Sequence, residues 1–305
     1  MRLFENPDFS FIPNRQRGYI FSAILIVLSI ISLSTKGLEL GIEFRGGKEF
    51  VVENVGNLPA TEVRSELSGA LGSDPVVKTY GETGLLIRTT AGEETNVVQQ
   101  RIMQTLQQSF PESSPLLVST NIVGPQFAED LARGAIYSVF GALFVIFVYI
   151  LIRFEWRYGL GAVAALVHDV TITLGVFSVL SGLVPFSLQM DQSIIAAFLT
   201  IVGYSLNDTV VVFDRVREYV NLFKTEDFNE IVNRSINSTL SRTVVTSITT
   251  LIVVTILFIF GGEVLRGFSF ALIIGVCIGT YSSVFVASPT VVELRDRMKK
   301  AKVRG

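Results

Sequence analysis

Six long apolar segments constrain the fold of this chain more than any other feature of its sequence. A bilayer core of roughly 30 Å is crossed by about 20 apolar helical residues. The first such segment could instead be a signal peptide, but no small-x-small cleavage site follows it. The sequence therefore predicts an integral membrane protein with six transmembrane helices, at approximately 18–34, 132–152, 159–181, 192–213, 243–260 and 268–290.

The basic residues predict how these helices are oriented, because loops rich in Lys and Arg stay in the cytoplasm. They cluster before the first segment, between the second and third, between the fourth and fifth, and in the tail: Arg2, Arg15, Arg17; Arg153, Arg157; Arg215, Arg217, Lys224, Arg234, Arg242; Arg295, Arg297, Lys299, Lys300, Lys302 and Arg304. The two remaining short loops hold only Arg266. The expected order is a cytoplasmic N-terminus 1–17, helix 18–34, an outer domain 35–131, helices within 132–290 with a cytoplasmic loop 214–242, and a cytoplasmic basic tail 291–305.

The segment 35–131 has the pattern of a small α/β domain. Its strand-like and helix-like runs are, in order, Glu49–Glu53, Leu58–Leu71, Pro75–Tyr80, Leu85–Thr90, Thr95–Phe110 and Leu116–Val123. The order β-α-β-β-α-β is that of the ferredoxin-like split βαβ fold. We therefore expect a membrane α-helical bundle that carries a small α+β ferredoxin-like domain outside the cytoplasm. That fold hosts many activities, so it does not predict one.

Composition argues against several classes of function. A net charge of −2 gives no reason to expect nucleic-acid binding. The chain has one cysteine, Cys277, and one histidine, His168, which disfavours a protein-only metal site. No nucleophile–base arrangement is visible in the sequence. We expect no cofactor, no metal and no enzymatic activity.

Two carboxylates fall within the predicted membrane helices. Asp169 lies near the middle of the third, beside His168, and Asp208 lies in the fourth, about 9 Å inside the interface if Asp214 marks the helix end. A charged side chain in the bilayer costs a few kcal/mol at least, so it is rare and usually functional. Both are candidate functional residues, with His168 as a possible static partner of Asp169.

Polar residues recur on one predicted face of three neighbouring helices. Thr200, Tyr204, Asn207 and Asp208 share a face of the fourth, Arg242, Thr246 and Thr249 or Thr250 share one of the fifth, and Asp169 shares one with Thr173. Arg242 is long enough to reach inward toward Asp208. A carboxyl group in a low dielectric holds its proton, and an approaching guanidinium releases it. The pattern predicts a proton relay of Asp208, Arg242, Asp169, His168, Asn207 and Thr246; the alternative is that these groups only hold the helices together.

Two further patterns involve small residues. Gly267, Ala271, Gly275, Gly279, Ser283 and Ala287 repeat at intervals of four in the sixth helix, which favours close helix packing within the chain over a partner interface. The run Gly41-Ile-Glu-Phe-Arg-Gly-Gly47 follows the first helix, and its Gly46 and Gly47 permit the positive φ of a sharp turn.

Several of these runs resemble one known family. Gly41–Gly47, with Phe44, Gly46 and Gly47, is similar to the G-[IVL]-[DE]-F-x-G-G motif of the SecD/SecF proteins. The runs Leu166–Val170, Gly203–Arg215 and Asn233–Thr243 resemble the third-, fourth- and fifth-helix signatures of the SecF type. The resemblance covers essentially the whole chain, and the fourth- and fifth-helix motifs are specific.

This resemblance implies a partner and a role. Members of this type pair with SecD in the bacterial cytoplasmic (inner) membrane and use the proton motive force to promote late export of preproteins through the SecYEG translocon. It implies that the acid at Asp208 and the arginine at Arg242 lie on the proton path, and that SecD is a separate chain. A proton-coupled exporter of small molecules or lipids, of the same resistance–nodulation–division superfamily, is the alternative. A purely structural assembly subunit is a third, and no residue decides between H⁺ and Na⁺.

Overall fold

A computed structural model describes residues 7–56, 58–81, 83–90, 92–184 and 186–304. The chain forms two compact units. One contains the chain up to residue 38, Val139–Val179 and the chain from Ile194 onward; the other contains Glu39–Ser138 and Leu180–Ser193. In chain order the elements are α1 (Arg15–Thr35), α2 (Ile42–Arg45), β1 (Gly47–Glu53), α3 (Ala60–Leu71), β2 (Val76–Tyr80), β3 (Gly84–Thr89), α4 (Thr95–Ser109), β4 (Leu116–Val123), α5 (Pro125–Arg153), α6 (Trp156–Leu180), α7 (Gln192–Leu222), α8 (Phe228–Phe260), α9 (Gly262–Ser282), a π-helical turn (Ser283–Ala287) and α10 (Ser288–Arg304).

The predicted six membrane helices are confirmed among the described residues. The spans long and apolar enough to cross a bilayer are α1, α5, α6, α7, α8 and the continuous stretch Leu265–Lys299, which runs from α9 through the π-helical turn into α10. The helices extend beyond their apolar segments because they continue as amphipathic helices, with polar residues facing water and apolar residues packed on the protein core.

The segment 214–242, for which the sequence predicts a loop, is mostly helical. Helix α7 continues to Leu222 and α8 begins at Phe228, so only the short turn between them is irregular. The extensions persist because each buries apolar side chains, such as Val216 at 1% and Val232 at 1% exposure, in a common core. Asp227 caps α8 by accepting a hydrogen bond from the Asn229 backbone N–H at 3.0 Å.

The chain before α1 is fixed to α8 by two asparagine side chains. Asn237 Oδ1 accepts from the Phe9 N–H at 2.8 Å, and Asn237 Nδ2 donates to the Phe9 carbonyl at 2.8 Å. Asn233 Oδ1 accepts from the Ile12 N–H at 3.1 Å. Ile12, 1% exposed, then enters the same core as Val216 and Val232. These polar side chains satisfy the backbone of an irregular segment that would otherwise need water.

The small-residue ridge of the sixth membrane helix packs within the chain. All six of its residues are buried. A Cβ atom built on Gly275 would collide with the Ile201 side chain, and one on Gly279 would lie 3.0 Å from the Ser205 Cβ. Residues Ile201 and Ser205 both belong to α7. The intramolecular interpretation is therefore the correct one, and the ridge brings α9 against α7.

The small α/β unit has the predicted ferredoxin-like topology. Its sheet has the order β2-β3-β1-β4, and all three neighbouring pairs are antiparallel. Alternate side chains of β1 and β3, such as Phe50 and Ile87, both 0% exposed, form a core with Leu67 of α3 and Ile102 of α4. The strands and helices agree with the predicted runs to within a few residues at each end.

The ridge gives a testable consequence for stability. We expect Gly275→Ala to lower the free energy of unfolding in detergent by about 1–3 kcal/mol, because the added methyl group overpacks against Ile201. Gly141→Ala is the matched control, since a Cβ there meets nothing within 4 Å. Equal effects of the two substitutions on the unfolding midpoint would contradict tight α7–α9 packing.

Candidate functional site: two buried carboxylates in the helical unit

Asp208 is a buried carboxylate with only one of its two oxygens satisfied. It lies on α7 and is 6% exposed. Its Oδ1 accepts a hydrogen bond from Thr243 Oγ1 of α8 at 2.9 Å, whereas its Oδ2 is buried without a hydrogen-bond partner among the described residues. A buried acceptor that lacks a partner is costly, so proteins rarely retain one without a role. A proton on Oδ2 removes the charge and lowers that cost.

The predicted contact between Arg242 and Asp208 is not formed. No ion pair within 4 Å joins them among the described residues, and the Arg242 side chain is exposed. Successive residues of a helix point about 100° apart, so when Thr243 faces α7 its neighbour Arg242 faces outward. Thr246 is also exposed, and its hydroxyl donates to the Arg242 carbonyl at 3.0 Å.

The polar face of α7 is also turned relative to the prediction. Thr200, Gly203 and Asn207 are exposed, and Tyr204 is half-buried, with its hydroxyl bonded to Ser247 Oγ at 3.1 Å. The buried polar residues of α7 are instead Ser205, Asp208 and Thr209. A serine or threonine in an apolar helix gives no sequence signal of a binding role, since its hydroxyl usually bonds to a carbonyl of the preceding turn. The sequence therefore gave only the spacing of Ser205, one turn before Asp208, as a signal.

In contrast to Asp208, Asp169 has hydrogen-bond partners on both of its carboxylate oxygens. It is 1% exposed. Oδ2 accepts from Ser205 Oγ at 2.5 Å and from Ser282 Oγ at 2.7 Å, and Oδ1 lies 2.8 Å from His168 Nδ1. The predicted pairing of His168 with Asp169 is present in the structure. Ser205 and Ser282 were missed, and they make Asp169 a junction of α6, α7 and α9.

A π-helical turn places two serines of one helix near different carboxylates. Ser282, the last residue of α9, donates to Asp169, and Ser283, the first residue of the turn, faces Asp208. Both serines are fully buried. Single π-helical turns inside α-helices are frequent at functional sites, and here the turn lies beside both carboxylates.

His168 continues the hydrogen bonding toward α1. Its Nε2 lies 3.0 Å from Ser22 Oγ, and Ser22 Oγ lies 3.1 Å from the Tyr281 hydroxyl. Tyr281 in turn donates to the Gly18 carbonyl at 2.7 Å. His168 is 3% exposed, and the Tyr281 ring stacks against it with centroids 6.0 Å apart.

The glycine motif belongs to the α/β unit and joins it to the segment before α7. The Gly41 N–H donates to the Met190 carbonyl at 2.8 Å, and a Cβ on Gly41 would lie 3.1 Å from that oxygen. Gly46 and Gly47 have φ of +71° and +126°, as expected for a sharp turn. Phe44 is half-buried on α2. Glu43 accepts from the N–H of Gln192, the first residue of α7, at 2.6 Å.

Glu39 is the polar centre of this segment. It forms an ion pair with Lys78 and accepts hydrogen bonds from Ser181 Oγ at 2.9 Å and from Gln189 Nε2 at 3.2 Å. Burial by itself would raise the pKa of Glu39, but the hydrogen bond and charge of Lys78, with the help of Ser181 and Gln189, hold it below its ordinary value. Glu39 is thus bound as a carboxylate.

Comparisons with known proteins agree with this architecture. Residues 99–297 match the model of the protein export membrane protein SecD/SecF C-terminal family, and residues 31–53 match the SecD/SecF GG motif. The chain is 66% identical to protein translocase subunit SecF of Rhodothermus marinus, over 97% of this chain and 96% of that one. It is 40% identical to SecF of Haemophilus influenzae, over 92% and 84%.

Two solved structures share the fold. SecDF of Thermus thermophilus, described as a translocon-associated membrane protein, superposes with a TM-score of 0.85 at 34% identity and covers 95% of this chain. SecDF in a super-membrane-facing form gives 0.73 at 33% identity and covers all of it. This chain spans only 39% and 41% of those longer chains.

Six membrane helices around two buried carboxylates, with a ferredoxin-like domain, define a polytopic protein of the membrane transport class. The chain belongs to the SecD/SecF family of protein-export membrane proteins, as a member of its SecF type. Its relatives are named as protein translocase subunits, and the chain is a subunit of that kind.

The Glu39 network predicts a pH dependence of stability. The pKa of Glu39 is lowered in the folded protein. Its contribution to stability is therefore present above the pKa of the unfolded chain, near 4.5, and is lost as the pH falls through the pKa of the folded protein. We expect Glu39→Gln to lower the free energy of unfolding at pH 7 by about 1–3 kcal/mol and to remove this part of the acid dependence. Denaturant unfolding of the purified chain at pH 7 and pH 3.5 measures both.

Asp74→Asn serves as the control for Glu39→Gln, because Asp74 also pairs with a cation, Arg64, but at the exposed surface. We expect it to change stability little. A Glu39→Gln variant as stable as the Asp74→Asn variant at both pH values would show that the network is not stabilising.

Proposed function

We propose that this chain works with SecD to use the proton motive force for Sec-dependent translocation of preproteins across the cytoplasmic membrane. The observation that supports it best is the unpaired, buried Oδ2 of Asp208. An intramembrane carboxylate that lacks a fixed partner for one oxygen can take up and release a proton. One elementary charge moved across 100 mV is worth about 2.3 kcal/mol, which is enough to bias a change in helix packing.

The proposed partner is a separate SecD chain, with the SecYEG translocon and its preprotein as the larger assembly. The solved SecDF chains are more than twice as long as the part this chain matches. Large apolar side chains of α5 are exposed over its length, including Phe140 at 68% and Phe144 at 67%. Lipid or a second helical protein has to cover them.

Arg242, Asn207 and Thr246 have a place in this proposal as the outer part of the relay. All three are exposed on this chain, so a path through them would continue along the surface of a partner. Arg242 would act on the Asp208 carboxylate through its charge, which favours release of the proton when the two approach. His168 and Asp169 would form a second station of the relay.

We also propose the orientation predicted from the basic residues, with both termini in the cytoplasm and 35–131 outside. The charge pattern supports this orientation, because basic residues gather in the segments that it places in the cytoplasm and the short loop 182–191 has none.

Asp208→Asn tests the proposal directly. We expect the variant to assemble with SecD but to lose most of the potential-dependent stimulation of preprotein export, by on the order of tenfold or more, because the amide cannot exchange a proton. The measurement is preprotein translocation into inverted membrane vesicles with and without a proton gradient, alongside proton conductance. Substituting a Na⁺ gradient identifies the coupling ion.

Asp214→Asn is the matched control, since Asp214 lies on the same helix but is exposed and paired with Arg153 at 2.8 Å. It should retain export. An Asp208→Asn variant with normal export and conductance would overturn the relay and leave a structural subunit. Accumulation of a small compound without any export defect on deletion of the chain would favour the small-molecule or lipid exporter.

Thr243 provides a second test, because it is the donor that the structure places on Asp208. We expect Thr243→Val to reduce gradient-driven export several-fold and to shift its pH profile, since Oδ1 of the carboxyl group loses the Thr243 hydroxyl as a donor. Thr249→Val is the control, because that residue is exposed and its hydroxyl donates to backbone carbonyls of its own helix. Equal effects of the two variants would exclude a specific role for Thr243.

A further inference from the structure

An unbroken row of four hydrogen-bond contacts begins at Asp169 and crosses to α1. The contacts are Asp169 Oδ1 to His168 Nδ1 at 2.8 Å, His168 Nε2 to Ser22 Oγ at 3.0 Å, Ser22 Oγ to the Tyr281 hydroxyl at 3.1 Å, and that hydroxyl to the Gly18 carbonyl at 2.7 Å. We call these five groups the His168 chain. All four distances lie in or near the range of real hydrogen bonds.

Counting protons along the His168 chain shows a deficit of one. Each of the four contacts needs one hydrogen between its two heavy atoms. Ser22 and Tyr281 supply one each, a neutral imidazole supplies one, and a carboxylate and a carbonyl supply none. A neutral His168 beside an ionised Asp169 therefore provides three hydrogens for four contacts. One pair of electronegative atoms would face each other without a hydrogen, in a site where His168 is 3% and Asp169 1% exposed.

The surrounding groups do not supply the missing hydrogen. On α7, Ser205 uses its hydrogen on Asp169 Oδ2, and on α9 Ser282 does the same. No Lys or Arg side chain lies within 4 Å of Asp169 among the described residues. Two titratable groups lie beside this set: Tyr19 lines a groove with Ser22 and His168, and Asp208 lies one helical turn beyond Ser205 on α7.

One added proton on His168 satisfies every contact. Nδ1–H then donates to Asp169, Nε2–H donates to Ser22, Ser22 donates to Tyr281, and Tyr281 keeps its bond to Gly18. The uptake takes a proton from a hydronium ion, so one O–H bond breaks as one N–H bond forms at Nε2, and the Ser22 hydrogen turns from His168 toward Tyr281. It also changes the net charge of the buried pair from −1 to 0, which lowers the cost of burial.

We propose that His168 and Asp169 together form a second intramembrane proton-binding site, which holds one proton as an imidazolium–carboxylate pair in this conformation. The His168 chain favours that protonated state, because its Ser22–Tyr281 contact requires the fourth hydrogen. Any movement of α1 or α9 that breaks this contact removes that requirement. The site deepens the proposed proton-driven function, but its protonation does not depend on Asp208 being the coupling residue.

The chain contains a single histidine, which makes the test direct. The full chain is prepared with its SecD partner in lipid nanodiscs, from cells grown with ¹⁵N-labelled histidine. Signals from SecD histidines are removed by substituting those residues, or by subtracting the spectrum of a sample in which this chain is unlabelled. Nitrogen NMR distinguishes an imidazolium, with two protonated nitrogens, from a neutral ring, with one. We expect two protonated nitrogens at pH 7. One unprotonated nitrogen at pH 7 would overturn the proposal.

Tyr281→Phe tests whether the contacts of the His168 chain, and not burial alone, cause His168 to be protonated. Without the tyrosine hydroxyl, two contacts remain, and a neutral His168 with Ser22 satisfies both. We expect proton binding at His168 to weaken on the order of tenfold, the effect of one lost hydrogen bond. The phenyl ring keeps the stacking on His168 and Phe285.

Two further variants complete the experiment. Tyr19→Phe removes a hydroxyl from the adjoining groove but not from the His168 chain, and should leave the titration unchanged; a shift equal to that of Tyr281→Phe would contradict the proton count. Asp208→Asn should also leave His168 protonated. That result separates the two proposals, because export can then be lost while the His168 signal persists, or the reverse.

Discussion

The cost of holding a carboxylate away from water governs the helical unit of this protein. A carboxylate in a low dielectric must be given donors or a proton, and a membrane helix has no spare backbone donors to offer. Hydroxyl groups from neighbouring helices are the compact alternative. Ser205, Ser282 and His168 serve Asp169, and Thr243 serves Asp208. The requirement to satisfy these two groups therefore fixes how α6, α7, α8 and α9 are rotated about their own axes.

Close helix contact makes this arrangement possible. A serine hydroxyl reaches only a short distance from its helix, so α7 and α9 must approach until Ser205 and Ser282 meet the same oxygen. Gly275 and Gly279 permit that approach, because neither has room for a Cβ atom against α7. The π-helical turn that follows then faces Ser283 toward Asp208. The small-residue ridge and the two carboxylates are parts of one structural solution.

The same cost of burial applies to both carboxylates, but their hydrogen bonding differs. Asp169 has donors on both oxygens and a histidine beside it, so it is held in place. Asp208 has one oxygen without a donor, so its environment is incomplete. Asp169 therefore ties α6, α7 and α9 together, whereas Asp208 keeps an oxygen that only a proton or a new donor would satisfy.

The sequence by itself determined the elements and the identity of the charged groups. Long apolar runs admit only spanning helices in a bilayer, strict strand and helix periods gave β-α-β-β-α-β, and Asp169 and Asp208 stand out because little else in those helices is charged. Only the tertiary structure decided which neighbours serve them. A rotation of about 100° per residue separates Thr243 from Arg242, and no local rule fixes the rotation of a helix that is apolar on nearly every side. The packing against other helices sets that angle, and so it selected Thr243, Ser205, Ser282, Ser22 and Tyr281 as the groups that hold the carboxylates and the histidine.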